Sequence, residues 1–202
     1  MYNDRPMHDY LNDLAAKKCA PGGGSAAALS AAIGAGLVSM VANYTIGNPK
    51  YKAAEDKVKN ILKKSEEYRL QLQGLVDKDA EAYEKLSAGL KNFGKDPAKL
   101  DRLFKAAMEP PFEVCRITGA ALALCKELAV IGNKNLITDT AIAAILLEGA
   151  FFSAKFNVYV NLKYISDIDF VGEVHKIILP IEESMPGLKE EILEICEEVI
   201  ER

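Results

Sequence analysis

A carboxylate stands where the helical pattern of this sequence asks for an apolar side chain. Leu62, Ser65, Arg69, Leu72, Val76, Asp79, Tyr83, Leu86 and Leu90 recur at alternating spacings of three and four, the period of one helix face. Asp79 falls inside that stripe. Asp77, two residues earlier, points roughly to the opposite side. A carboxylate turned toward a core is costly unless it is paired or put to use. Burial disfavours its charged form and raises its pKa, which is how a side chain becomes a general acid near neutral pH. Two readings follow: a buried ion pair or hydrogen bond without chemistry, or a proton-exchanging group.

Two further constellations carry polar chemistry. Asn157 and Asn161 are four apart and share a face, with Asp139 in the first turn of the same helix, after the amide-rich Gly132-Asn133-Lys134-Asn135. Such asparagines either bridge neighbouring helices or hold a ligand. The run Cys19 to Pro49 contains no charged side chain and opens with Pro21-Gly22-Gly23-Gly24-Ser25. Three glycines permit positive φ and close approach to another group, and Ser25 can cap the helix that follows. Gly22, Gly24 and Ala27 fit a loose dinucleotide fingerprint, but a helix precedes them and the next acid is Glu55, so that reading is set aside. His8 and His175 lack metal-ligand spacing, and no metal is expected.

These residues need helices to position them. No stretch alternates convincingly, so the fold is expected to be all-α, a single domain over 1–202. A short amphipathic helix is expected over Pro6 to Lys18, and a second, rich in Ala and Gly, from Ser25 to Ile46. That second stretch is long enough to span a membrane, yet its alanines, Ser30, Ser39 and Asn43 suit a helix buried on all sides of a soluble bundle. A third runs from Pro49 to about Leu90, with a break at Asn92 to Gly94. Asp96 and Pro97 then start a fourth, kinked at Pro110-Pro111 and stopped at Gly132. Thr138 caps a fifth, from Asp139 to about Ile165. Two tail helices follow, near Phe170–Glu183 and Pro186–Glu201. Roughly forty residues in the third helix span about 60 Å, beyond the ~35 Å of a compact ball of this size. An elongated bundle of long antiparallel helices that dimerises resolves the mismatch.

Bulk properties narrow the function. The 202 residues are 50% hydrophobic with a formal net charge of −4, so no nucleic-acid partner is expected. Lys57, Lys59, Lys63 and Lys64 are interleaved with acids and read as a solvated face. Cys19, Cys115, Cys125 and Cys196 match no zinc or redox spacing and read as reduced thiols of a cytoplasmic protein. The N-terminus has no signal-peptide pattern, and no membrane association is expected.

Three segments together resemble the cyclodeaminase domain of formiminotransferase-cyclodeaminase and the related stand-alone folate enzymes. They are Ala20-Pro21-Gly22-Gly23-Gly24-Ser25 with its small-residue helix, Leu75-Val76-Asp77-Lys78-Asp79-Ala80-Glu81-Ala82-Tyr83, and Phe156-Asn157-Val158 with Asn161-Leu162. Order and spacing fit across nearly the whole chain. The resemblance implies an all-α homodimer, without a cofactor, that converts 5-formimidoyltetrahydrofolate to 5,10-methenyltetrahydrofolate and ammonia. It assigns the proton shuttle to Asp79 first and Asp77 second. Asn157, Asn161 and Asp139 are expected to hold the pterin, and the backbone at Gly22, Gly23, Gly24 and Ser25 to receive a carboxylate of the glutamate tail, single or polyglutamated. The methenyltetrahydrofolate cyclohydrolases share the fold and offer the alternative activity. A helical interaction module without an active site is the alternative of another class.

Overall fold

A computed structural model describes residues 1–93 and 96–201, with the backbone alone at Phe93. Every regular element among them is helical: α1 (Met7–Ala15), α2 (Gly23–Thr45), α3 (Glu55–Phe93), α4 (Pro97–Ile131), α5 (Ile137–Leu162) and α6 (Ile168–Ile200). Short 3-10 turns at Tyr2–Asp4, Pro49–Ala54 and Lys134–Leu136 lead into the first, third and fifth of these.

Alanine and glycine decide the packing. Ala27, Ala28, Ala31, Ala35 and Ala42 bring α2 close to its neighbours with no exposure above 2%. At Gly34 an added Cβ would lie 3.0 Å from Leu147 Cγ and 3.3 Å from the Ala143 carbonyl, so the α2–α5 contact needs the missing side chain. α2 packs against α3, α4 and α5, while α6 lies on α4 and α5. α2 runs antiparallel to α3, with Gly24 at Asp79 and Ser39 Oγ 2.8 Å from Ser65 Oγ. It is antiparallel to α5 too, with Gly23 at Asn157 and Thr45 Oγ1 accepting from the Asn133 N–H.

Several boundaries differ from the sequence expectation. Ser25 does not cap α2. Gly22 is the N-cap residue, extended at φ −134° and ψ −161°, and the positive φ falls at Gly47 instead, at 77°. Nor is α2 buried on all sides, since Ile33 is 49% and Tyr44 63% exposed. α2 and the stretch Lys134–Leu162 are long and apolar enough to cross a membrane by length and composition, with 56% and 39% of those windows buried in the bundle. Asn92 is the penultimate residue of α3, and Gly94 lies outside the described residues.

No break divides α4 at Pro110-Pro111, both of which are buried. The flanking core residues Met108, Phe112, Val114 and Cys115 hold the helix across the two missing N–H donors. Thr138 lies within α5, whose N-cap is Leu136. The two tail helices are one, α6, containing Pro180 and Pro186. Both prolines face solvent, where water can take the carbonyls they leave unbonded.

Candidate active site at the head of the second helix

Asp77 and Asp79 separate sharply in space. Asp77 is 6% exposed and binds the N-terminal segment. The Tyr2 N–H donates to Oδ1 at 2.5 Å and the Asn3 N–H to Oδ2 at 3.2 Å. Both oxygens therefore hold a backbone turn, and the Asn3 side chain adds a bond to the Gln73 carbonyl at 2.9 Å. Asp77, the second candidate for proton shuttle, thus fastens the N-terminal turn to α3.

Asp79 instead faces the head of α2, half-buried. A Cβ on Gly24 would stand 2.1 Å from its Oδ1 and 2.7 Å from its Cγ, so glycine at 24 is what lets the carboxyl reach the helix end. Desolvation raises its pKa to about 6, against the opposing bond from the Ser25 N–H. The partner that satisfies Asp79 is thus a backbone N–H rather than a cation. Ser25 itself is fully buried. Its hydroxyl donates to the Val76 carbonyl at 2.9 Å and accepts from Tyr10 Oη at 3.3 Å. Burial raises the Tyr10 hydroxyl too.

The glycine loop was expected to receive a substrate carboxylate, and one of its N–H groups is engaged within the chain. The Ser25 N–H already serves the protein's own carboxylate, so a substrate carboxylate approaching that helix end would meet the charge of Asp79.

Asn157 joins Asp79 across the head of α2. A Cβ on exposed Gly23 would lie 3.7 Å from Asn157 Nδ2. Asn157 donates to the Ser153 carbonyl at 3.0 Å and Asn161 to the Asn157 carbonyl at 2.7 Å, one turn back in each case, which stacks the two amides along one edge. Lys155, two residues before Asn157, turns toward α6 and pairs with Glu182 at 2.6 Å. Glu182 also accepts from Tyr159 Oη at 3.1 Å.

Asp139 is not brought to this cluster within the chain. It lies 18 residues before Asn157 on α5, about 27 Å away along the axis. The neighbouring amides tie α5 to the far end of α2, with Asn133 Nδ2 donating to the Tyr44 carbonyl at 3.1 Å. Tyr10, inside the short amphipathic helix expected near the N-terminus, is the residue that sequence reasoning missed. Its signal was the hydroxyl: a buried tyrosine needs a partner for it.

An all-helical bundle with a half-buried carboxyl of raised pKa pressed against a glycine-lined helix head is the arrangement that the comparisons place in a family. A family model described as formiminotransferase-cyclodeaminase matches residues 6–179, and the chain belongs to that family. It is 36% identical to the methenyltetrahydrofolate cyclohydrolase of Methylorubrum extorquens over 201 residues, covering 96% of this chain and 97% of that one. It is 31% identical to the mouse formimidoyltransferase-cyclodeaminase over 179 residues, 85% of this chain but 33% of the relative. The chain thus spans about a third of such two-activity relatives. The crystal structure of formiminotetrahydrofolate cyclodeaminase from Thermotoga maritima superposes with a TM-score of 0.92 at 30% identity, covering 99% and 100% of the two chains.

Proposed function

We propose that this protein is a folate one-carbon enzyme that converts 5-formimidoyltetrahydrofolate to 5,10-methenyltetrahydrofolate and ammonia. The observation that carries the reading is Asp79, whose carboxyl has a pKa raised to about 6 and reaches the helix head through the gap left by Gly24. Folate N10 attacks the carbon of the protonated amidine, forming the N10–C bond as the C=N π pair moves onto the exocyclic nitrogen. The carboxylate of Asp79 takes the N10 proton and delivers it to the exocyclic nitrogen. That nitrogen leaves as ammonia as its bond to carbon breaks, and the nitrogen lone pairs restore the cationic methenyl bridge. Asp79 also stabilises positive charge throughout. Asn157 and Asn161 offer amide groups to the pterin edge.

A second reading is favoured by the near full-length match to the cyclohydrolase. In it, water adds to the methenyl carbon and gives its proton to Asp79, which passes it to N5 as the N5–C bond breaks; the hydroxyl proton leaves to solvent and a formyl group remains on N10. Incubating purified protein separately with 5-formimidoyl- and 5,10-methenyltetrahydrofolate, and following the methenyl absorbance, decides between them. Absorbance gained with the first supports the deaminase and absorbance lost with the second the hydrolase; neither change removes both.

The reading includes a homodimer. On α5, Ile142, Ile145, Phe156 and Val160 are 47–70% exposed along one face, separated by exposed Gly149 and Ser153. An apolar interface of this kind should resist high salt. Light scattering that finds a 22.0 kDa species at micromolar concentration would overturn it. A cytoplasmic place suits the four free cysteines.

A further inference from the structure

α1 buries a single side chain, Tyr10, which is 3% exposed. The ring of Tyr2 meets it edge-on, with centroids 5.3 Å apart and planes at 89°, so the N-terminal turn that Asp77 fastens closes over it. A phenylalanine would anchor α1 through the same apolar contacts. The hydroxyl adds a directed bond, donating to Ser25 Oγ at 3.3 Å. Burial and the nearby charge of Asp79 both keep the phenolic proton in place, so Tyr10 stays a donor.

Ser25 joins that hydroxyl to the carboxyl. Its Oγ accepts from Tyr10, which leaves the serine's own proton for the Val76 carbonyl at 2.9 Å. Ser30 and Ser153 bond back to their own helices, at the Ala26 and Gly149 carbonyls, the common behaviour of a helical serine. Ser25 reaches across to α3 instead. Val76 stands three residues, about one turn, before Asp79. The O–H bond therefore ties the first turn of α2 to the turn of α3 that carries the carboxyl, and the N–H of the same serine bonds Asp79. Around that helix head α2 presents Gly23 and Gly24 and α5 the uncharged amide of Asn157. Asp79 answers to desolvation and to the Ser25 N–H, with no charged neighbour acting on it among the described residues.

We infer that Tyr10 is a positioning residue for Asp79: its hydroxyl orients Ser25, and Ser25 holds the carboxyl at the helix head through its backbone N–H. Tyr10 acts through Ser25 and not on the reacting atoms. The inference rests on the folate reading above, in which Asp79 exchanges the proton. It extends that reading to α1, which carries none of the residues otherwise placed at the site.

Carbon-13 NMR of the aspartate carboxyls reads the setting of Asp79 without any assay of turnover, with its signal assigned by its loss in Asp79→Asn. In wild type it should titrate at about 6. Tyr10→Phe loosens the N–H bond that favours the carboxylate, so Asp79 should become about a threefold weaker acid or more. Its kcat at pH 7 should fall about fivefold with KM little changed. Ser25→Ala should weaken the acid equally, and the double variant should add nothing, because the two hydroxyls act in series. An anchor for α1 and nothing more predicts a lower melting temperature with the Asp79 titration unmoved. That result in folded Tyr10→Phe overturns the positioning role and leaves the folate reading standing. If Tyr10→Phe does not fold, Ser25→Ala decides by the same signal. Wild type that turns over neither 5-formimidoyl- nor 5,10-methenyltetrahydrofolate overturns the folate reading, and with it the catalytic purpose of the link, whatever the titration shows.

Discussion

Asp77 and Asp79 sit two residues apart on one helix and meet opposite surroundings. Asp77 is the more buried, yet both its oxygens accept backbone N–H groups from Tyr2 and Asn3, and its place is to fasten the N-terminal turn. Asp79 is less buried and has the pKa raised to about 6, because desolvation outweighs its bond from Ser25. Depth alone therefore does not identify a working carboxylate. What distinguishes the two is the donors each meets: two backbone N–H groups at Asp77, and the Ser25 N–H alone at Asp79, where desolvation raises the pKa.

The sharpest way to break this contrast is Asp79→Asn. Its amide keeps the shape and can accept from Ser25 but cannot exchange a proton at neutral pH. Its kcat is expected to fall about a hundredfold or more. Normal turnover in the folded variant would remove the catalytic role.

The same variant carries a stability test. The folded-state pKa of Asp79 lies above its ordinary value near 3.8, so in that window the folded state holds the proton more tightly than the unfolded chain. Wild-type stability should then fall as pH rises from about 4 to about 6 and level off above, by on the order of 2 kcal/mol after allowing for its partial exposure. Asp79→Asn should lack this step and match or exceed wild type in melting temperature at pH 7. A variant that melts far below wild type at pH 7 would mark Asp79 as structural.

Gly24→Ala comes next in size. The new Cβ, 2.1 Å from Oδ1 if nothing moves, must push the carboxyl off the helix head, and kcat is expected to drop about tenfold with little change in melting temperature. Unaltered kinetics would show that Asp79 acts from another position. Asp77→Ala should do the reverse on a smaller scale. Losing acceptors for two backbone donors lowers stability by about 1–3 kcal/mol, seen in thermal melts, while kcat stays within a few-fold of wild type. An inactive but stable Asp77→Ala would exchange the roles of the two carboxylates.

Much of this architecture is legible in the sequence because it depends on period and on residue size. The stripe from Leu62 to Leu90 marks α3, and an uncharged Ala-Gly run marks a central helix. The breaks were read less well. Proline signals a helix end through local sterics, but Pro180 and Pro186 are carried through α6 by facing water. Those outcomes depend on tertiary surroundings that no local rule contains. In the site, Asp79 announces itself by interrupting an apolar face, and Asn157 by its spacing to Asn161. The separation of Asp139 from them becomes visible only when α5 is laid out as a rod. The meeting of Tyr10 with Ser25 depends on how two helices fold back on each other.

The contact between Gly24 and Asp79 makes the two positions a single unit of inheritance. While position 79 carries a carboxyl that must touch the helix head, any side chain at 24 is excluded by atoms already there. Once that carboxyl is gone, alanine becomes the better helix former and nothing selects against it. Along a lineage that drifts away from catalysis, Asp79 should be lost first and Gly24 soon after, whereas Asp77 should persist in both branches because the fold still needs its clamp. A descendant with alanine at 24 and aspartate at 77 would carry the record of an abandoned reaction in an otherwise intact bundle.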